Sequence, residues 1–144
     1  MENQVLELFK QNIGKPFSTP SPVGKWLEGT LIEAEAGYLV AEYTVRPDFA
    51  NPMGVMHGGI YAVMMDDLMG ALVFSLNNEF LFTTVNLAID YLSSAKIGEK
   101  VTVKGEVIKA SKNIVHCECK MFNASGKLLT KSISNLAKTH IPSR

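Results

Sequence analysis

Hydrophobic and polar positions follow two periods along this chain, and one stretch follows neither. From Ile60 to Leu76 the apolar residues fall nearly all round: Tyr61, Val63, Met64, Met65, Leu68, Met69, Leu72, Val73 and Phe74. The run is too long for an ordinary strand and does not alternate, which predicts a helix over residues 57–76. A helix apolar on every side is buried on most of them. A turn-rich stretch leads into it, punctuated by Asn51-Pro52, Gly54 and the pair Gly58-Gly59. After Asn77-Asn78 the period becomes two. Val85, Leu87, Ile89 and Tyr91 alternate with Thr84, Asn86, Ala88 and Asp90, predicting a strand with the first set on a buried face. Val101, Val103 and Val107 alternate with Thr102, Lys104 and Glu106, and Val115, Cys117, Cys119 and Met121 with His116, Glu118 and Lys120. A last strand runs from Lys127 to about Lys138.

Upstream the pattern is weaker. Residues 2–13 fit a short amphipathic helix with Val5, Leu6, Phe9 and Ile13 on one side, ended by Gly14 and Pro16. Residues 15–25, with Pro16, Pro20 and Pro22, read as loop. Trp26–Glu35 and Tyr38–Val45 read as strands joined in a hairpin at Ala36-Gly37, and Arg46–Met56 as a connecting loop. The short turns imply antiparallel pairing. The expected architecture is α+β: an antiparallel sheet of about six strands wrapped around the long helix that covers its apolar face. One domain, 1–144, is expected, with residues 1–25 as an N-terminal helix and loop. An exposed sheet edge invites pairing with a second copy.

Composition narrows the classes. Apolar residues make up 47% and charged residues 19%, which suits a packed globular chain. Lys+Arg and Asp+Glu balance at 14 each, so the basic footprint of a nucleic-acid partner is missing. The polar start lacks a signal-peptide pattern, and the 60–76 run carries two acids and falls short of a membrane span. A soluble cytoplasmic protein without membrane or nucleic-acid partners is expected. Cys117 and Cys119 share one face of a strand, where disulfide geometry is poor, so buried free thiols are expected. No Cys/His set has zinc spacing, and no metal is expected.

Candidate chemistry centres on Asp66 and Asp67, because acids are rarely buried in an apolar helix without a partner or a task. Asp66 shares a small-residued strip with Gly59, Ala62, Val63 and Gly70 by steps of three and four. Asp67 lies about 100° round the helix, so the two cannot do the same job.

The run Asn51-Pro52-x-Gly54-x-x-His57-Gly58-Gly59, with Asp66 nine residues beyond the histidine, resembles the PaaI-like hotdog thioesterases that hydrolyse acyl-CoA. The resemblance continues through Thr84–Leu92 and Ala95–Glu99 and covers roughly residues 25–140. It implies the hotdog fold, a homodimer or homotetramer, and neither metal nor organic cofactor. It also implies roles. The Gly58 backbone N–H, at a helix N-terminus, would stabilise the oxyanion on the thioester carbonyl. Asp66 would act as general base or as nucleophile. Thr84 would hold the attacking water or Asp66. Asn51 would offer its amide to the carbonyl or fix its loop, and His57 would contact the thioester or orient the loop. The substrate's own chemistry adds candidates: Gly59 beside it, an apolar slot drawn from Tyr61, Met64, Met65, Leu68, Met69 and Phe80 or Phe82, with Met65 and Phe82 foremost, and for the phosphates of coenzyme A Lys96, ahead of Lys112 and Lys131. A dehydratase or hydratase of acyl thioesters, or a non-catalytic acyl-CoA-binding protein, are the alternatives.

Geometry adds an expectation of its own. Gly58 and Asp66 are separated by about 12 Å along one helix. One reacting carbon needs both within hydrogen-bond reach or through one water. Two antiparallel helices crossing at a dimer interface bring Gly58 of one subunit to Asp66 of the other, giving two composite sites per dimer.

Overall fold

The computed structural model describes residues 2–17 and 19–144; Met1 and Ser18, within the expected N-terminal region 1–25, lie outside the described residues. Helix α1 spans Gln4–Gln11, capped by the Asn3 side chain, which accepts from the Leu6 N–H. Leu6 and Phe9 are buried as expected, whereas Ile13 lies past the helix and is exposed.

The next segment departs from the sequence reading. Pro22–Leu27 is a helix, α2, and strand β1 starts only at Thr30, running to Glu35. Ser21 caps α2 by accepting from the Gly24 N–H at 3.2 Å, Pro22 occupies the first turn, and Glu28 ends it in the left-handed region at φ 56°. Ser-Pro at N-cap and first helical position is a helix start signal, but six residues are too few to show a period. Trp26, read as the start of a strand, is instead part of a clasp. Arg46 lies over the rings of Trp26 and Phe49 and donates to the Trp26 carbonyl at 2.7 Å.

Strands β2 (Tyr38–Thr44), β3 (Phe80–Tyr91), β4 (Lys100–Ala110), β5 (Ile114–Asn123) and β6 (Leu128–Pro142) complete an antiparallel sheet in the order β1-β2-β4-β5-β6-β3. The sheet wraps around α3, Gly58–Phe74, giving the hotdog fold. Met64, Met65, Leu68, Met69 and Leu72 of α3 are wholly buried, as are Val101, Val103, Cys117 and Met121 of the sheet. Both cysteines are buried free thiols; burial alone pushes Cys117 up to about 12.

Strand β3 is an edge strand, paired only with β6. Its face is not buried as the alternation predicts: Val85 is 64% exposed and Tyr91 53%. The register explains part of this. Thr84 pairs with Leu136 and Asn86 with Asn135, so Val85 is the extra residue of a β-bulge. A bulge resets which residues share a face. Thr84 therefore falls on the same side as Leu87, Ile89 and Tyr91, toward α3, rather than opposite them.

Candidate active site

The loop before α3 is built by its own backbone and by Asn51. The Asn51 Oδ1 accepts from the Met53 and Val55 N–H groups at 3.0 and 3.3 Å, and the Asn51 N–H donates to the Val55 carbonyl at 2.8 Å. Asn51 thus fixes the loop through its oxygen, and its amide NH2 has no partner among the described residues. The loop is tied down further by the Met56 N–H on the Ala95 carbonyl and the His57 N–H on the Phe49 carbonyl, both at 2.8 Å. His57, extended at φ −63° and ψ 138°, is the N-cap of α3; its Nδ1 accepts from the Gly59 N–H at 2.9 Å. That bond places the imidazole proton of the neutral ring on Nε2. Gly59 therefore has its N–H occupied, while the Gly58 N–H donates to no group among the described residues. The Gly58 carbonyl accepts from the Tyr91 hydroxyl at 2.7 Å.

Two turns further along α3 stands the acid. Thr84 Oγ1 donates to Asp66 Oδ1 at 2.8 Å, a contact that exists because the Val85 bulge turns Thr84 toward α3. Asp66 and its strip neighbours Ala62, Val63 and Gly70 are only half covered by their own chain. Beside Asp66 and Thr84 opens a cavity of about 500 Å³, walled by Val63, Gly70 and Phe74 of α3, Phe82 of β3, and Thr19, Ser21 and Val23 of the N-terminal segment. Of the other expected contacts, Phe82 lies in this wall. Met65 does not: it points into the core, its sulfur 3.3 Å from the Ser132 hydroxyl, because it sits on the sheet-facing side of α3. Lys96 is exposed on the loop that bridges to Val55. Among the described residues no group of His, Cys, Asp and Glu gathers to hold a metal, and no helix is long and apolar enough to cross a membrane.

Two features escaped the sequence reading. The Thr19–Val23 wall was hidden because proline-rich segments carry no period. In the sequence Tyr91 shows only as a strand residue; its place at the inner end of the alternation is the available signal.

Asp67 has a different environment from its neighbour. A Cβ on Gly24 would lie 2.6 Å from Asp67 Oδ2 and 2.7 Å from Thr19 Oγ1, so α2 seats on the carboxyl only because residue 24 has no side chain. Oδ2 is buried and without a hydrogen-bond partner among the described residues. Burial raises the Asp67 pKa above the usual carboxylate value, the Ser21 hydroxyl offsets part of this, and the charge of Asp66 adds to it. A folded pKa above the unfolded one means the folded state binds the proton more tightly. Stability is then lost as pH rises from the unfolded value of about 3.9 through the folded one. At pH 7 the ionised acid is a burden. Asp67→Asn should therefore raise Tm at pH 7. The gain should vanish near pH 4. Melting curves at the two pH values check this; a lower Tm at pH 7, or an equal gain at both, contradicts it.

Comparison with known proteins places the chain. The model of the thioesterase superfamily matches residues 53–130, and the chain belongs to that superfamily. Human acyl-coenzyme A thioesterase 13 is 28% identical over 103 residues, covering 71% of this chain and 74% of that protein. The Escherichia coli PaaI protein of the phenylacetic acid degradation operon superposes with a TM-score of 0.79 at 18% identity, over 85% of this chain and 88% of its own. A hypothetical thioesterase protein of Streptococcus pneumoniae TIGR4, solved with coenzyme A, superposes at 0.73 with 23% identity, over 77% and 88%. The thioesterase superfamily is thus shown, and PaaI, toward which the His57–Asp66 spacing pointed, is among the proteins that share the fold.

Proposed function

We propose that this protein is an acyl-CoA thioesterase that works as a homodimer at least, with Asp66 and the Gly58 N–H meeting across the subunit interface. The observation that carries the reading is the Thr84–Asp66 hydrogen bond at the mouth of a 500 Å³ cavity. A half-exposed acid, oriented by a hydroxyl and set beside an apolar slot, suits attack on the carbonyl of a bound acyl group. The Gly58 N–H, without a partner among the described residues at the start of α3, is the complementary donor for the oxygen of that carbonyl. In the general-base route Asp66 takes a proton from water, and the hydroxide adds to the thioester carbon. Negative charge moves to the carbonyl oxygen, which accepts from Gly58. Collapse breaks the C–S bond; the acid leaves, and coenzyme A departs as thiol with the proton that Asp66 holds. In the nucleophilic route an Asp66 oxygen adds instead, collapse breaks the C–S bond and expels coenzyme A as thiolate to leave a mixed anhydride, and water cleaves that anhydride to the free acid and the Asp66 carboxyl, whose proton passes to the thiolate. Asn51 serves the carbonyl through its NH2, Phe82 and the Thr19–Val23 segment contain the acyl group, and Lys96 lies on the loop side toward the phosphates. A tetramer built from two such dimers fits the same reading.

The test is thiol release from a panel of thioesters, from acetyl- to palmitoyl-CoA with aryl-CoAs included. Turnover of at least one member is expected. A change in enoyl absorbance with no thiol released would instead identify a hydratase or dehydratase. Tight binding without either signal would make the protein a carrier of acyl-CoA.

A further inference from the structure

We propose that Tyr91 is a positioning residue for the Gly58 N–H, acting through the peptide that joins Gly58 to Gly59; the inference rests on reading Gly58 as the oxyanion donor. The two polar ends of that peptide are both held. Its carbonyl, on Gly58, accepts from the Tyr91 hydroxyl at 2.7 Å, and its N–H, on Gly59, donates to His57 Nδ1 at 2.9 Å. Such a clamp answers a specific weakness. Helix α3 opens on two glycines, each about 1 kcal/mol worse than alanine in a helix, at a turn whose N–H groups lack intrahelical partners. Glycine lets a substrate approach the backbone closely but supplies no side chain to keep the turn in place. Tyr91 supplies that hold from the sheet.

Its ring is itself well seated. It meets Tyr61 edge-to-face, with centroids 5.6 Å apart and planes at 88°. Tyr61 is buried, and its hydroxyl accepts from the Ala95 N–H at 2.8 Å. A Cβ on Gly58 would touch the Tyr91 ring and hydroxyl at 3.4 Å, so the tyrosine also fills the space beneath the glycine. One strand thus serves both halves of the chemistry: Thr84 orients the acid and Tyr91 orients the donor.

Tyr91→Phe keeps the ring and its contact with Tyr61 while removing the hydroxyl. Deleting an oxyanion donor outright costs about 10²–10³ in kcat; loosening one should cost about 10-fold, with KM within about 2-fold, because the bond matters in the transition state and not in substrate binding. Tyr91→Leu, which removes the ring as well, should fall to a similar kcat. The Gly59 amide should also exchange faster with solvent in Tyr91→Phe than in the parent. A Tyr91→Phe enzyme with parental kcat, beside an impaired Tyr91→Leu, would show that only the ring counts and would overturn the proposal. If the parent protein hydrolyses no thioester, the thioesterase reading fails. The clamp is then judged by Gly59 exchange alone, and unchanged exchange rejects it.

Discussion

Asp66→Asn should lower kcat by about 10²–10⁴, the usual range for losing a general base, with the fold retained. Asparagine keeps the size of the side chain and leaves an oxygen to accept from Thr84, 2.8 Å away in the parent. A neutral amide also costs less to cover than a carboxylate. What disappears is the capacity to take a proton from water or to attack the carbonyl. Asp67→Asn, on the α2 side of the same helix, is the internal control and should stay within about a few-fold of the parent, since charge repulsion between neighbours is worth little beside loss of a base. Steady-state kinetics on the best thioester decide the matter. An Asp66→Asn enzyme with near-parental kcat would remove Asp66 from the reaction.

Mixing two dead chains should restore activity. Gly58→Pro removes the N–H with little other damage. Proline is favoured at the first position of a helix, and the residue before it must be extended, as His57 already is at ψ 138°. The added Cβ meets Tyr91 at 3.4 Å, near ordinary contact. Gly58→Pro chains keep Asp66, and Asp66→Asn chains keep Gly58. In a mixed dimer with crossed sites, one of the two sites receives both intact groups. An equimolar mixture after subunit exchange should recover about a quarter of parental activity, because half the dimers are mixed and each has one good site. If exchange is demonstrated, both parents are folded and the mixture stays dead, either the site lies within one chain or proline has displaced the loop, and a milder Gly58 variant decides between the two.

The candidate site is legible in the sequence where its residues stand at fixed spacing. His57, Gly58 and Asp66 stand at one loop, one helix start and one helix face, so their intervals translate directly into geometry. The long helix and the period-two strands were equally readable, because each repeats its signal over many residues. Local irregularity was not. The Val85 bulge moves Thr84 to the other face of β3 without disturbing the alternation on either side. Helix α2 is too short to have a period and was masked by prolines that its start in fact uses. The bond from Tyr91 to Gly58 joins residues 33 positions apart, and no local pattern announces it. Met65 shows the converse error: an apolar residue near the acid looked like a wall of the slot, but one step along a helix turns a side chain about 100°, into the core.

The cavity wall formed by Thr19, Ser21 and Val23 lies outside the 53–130 stretch that the superfamily shares. On the reading proposed above, part of the wall around the acyl group can then vary without touching the residues assigned to the reaction. The loop and helix proposed to bear the chemistry can stay fixed while the short segment facing them drifts, lengthens or changes polarity, and the room left for an acyl group changes with it. The drift has one boundary in this chain. Residue 24 must keep clear of the Asp67 carboxyl, with which any Cβ would collide at 2.6 Å. An exchange of that segment between cousins should therefore be tolerated where the two positions change together, and resisted where only one of them does.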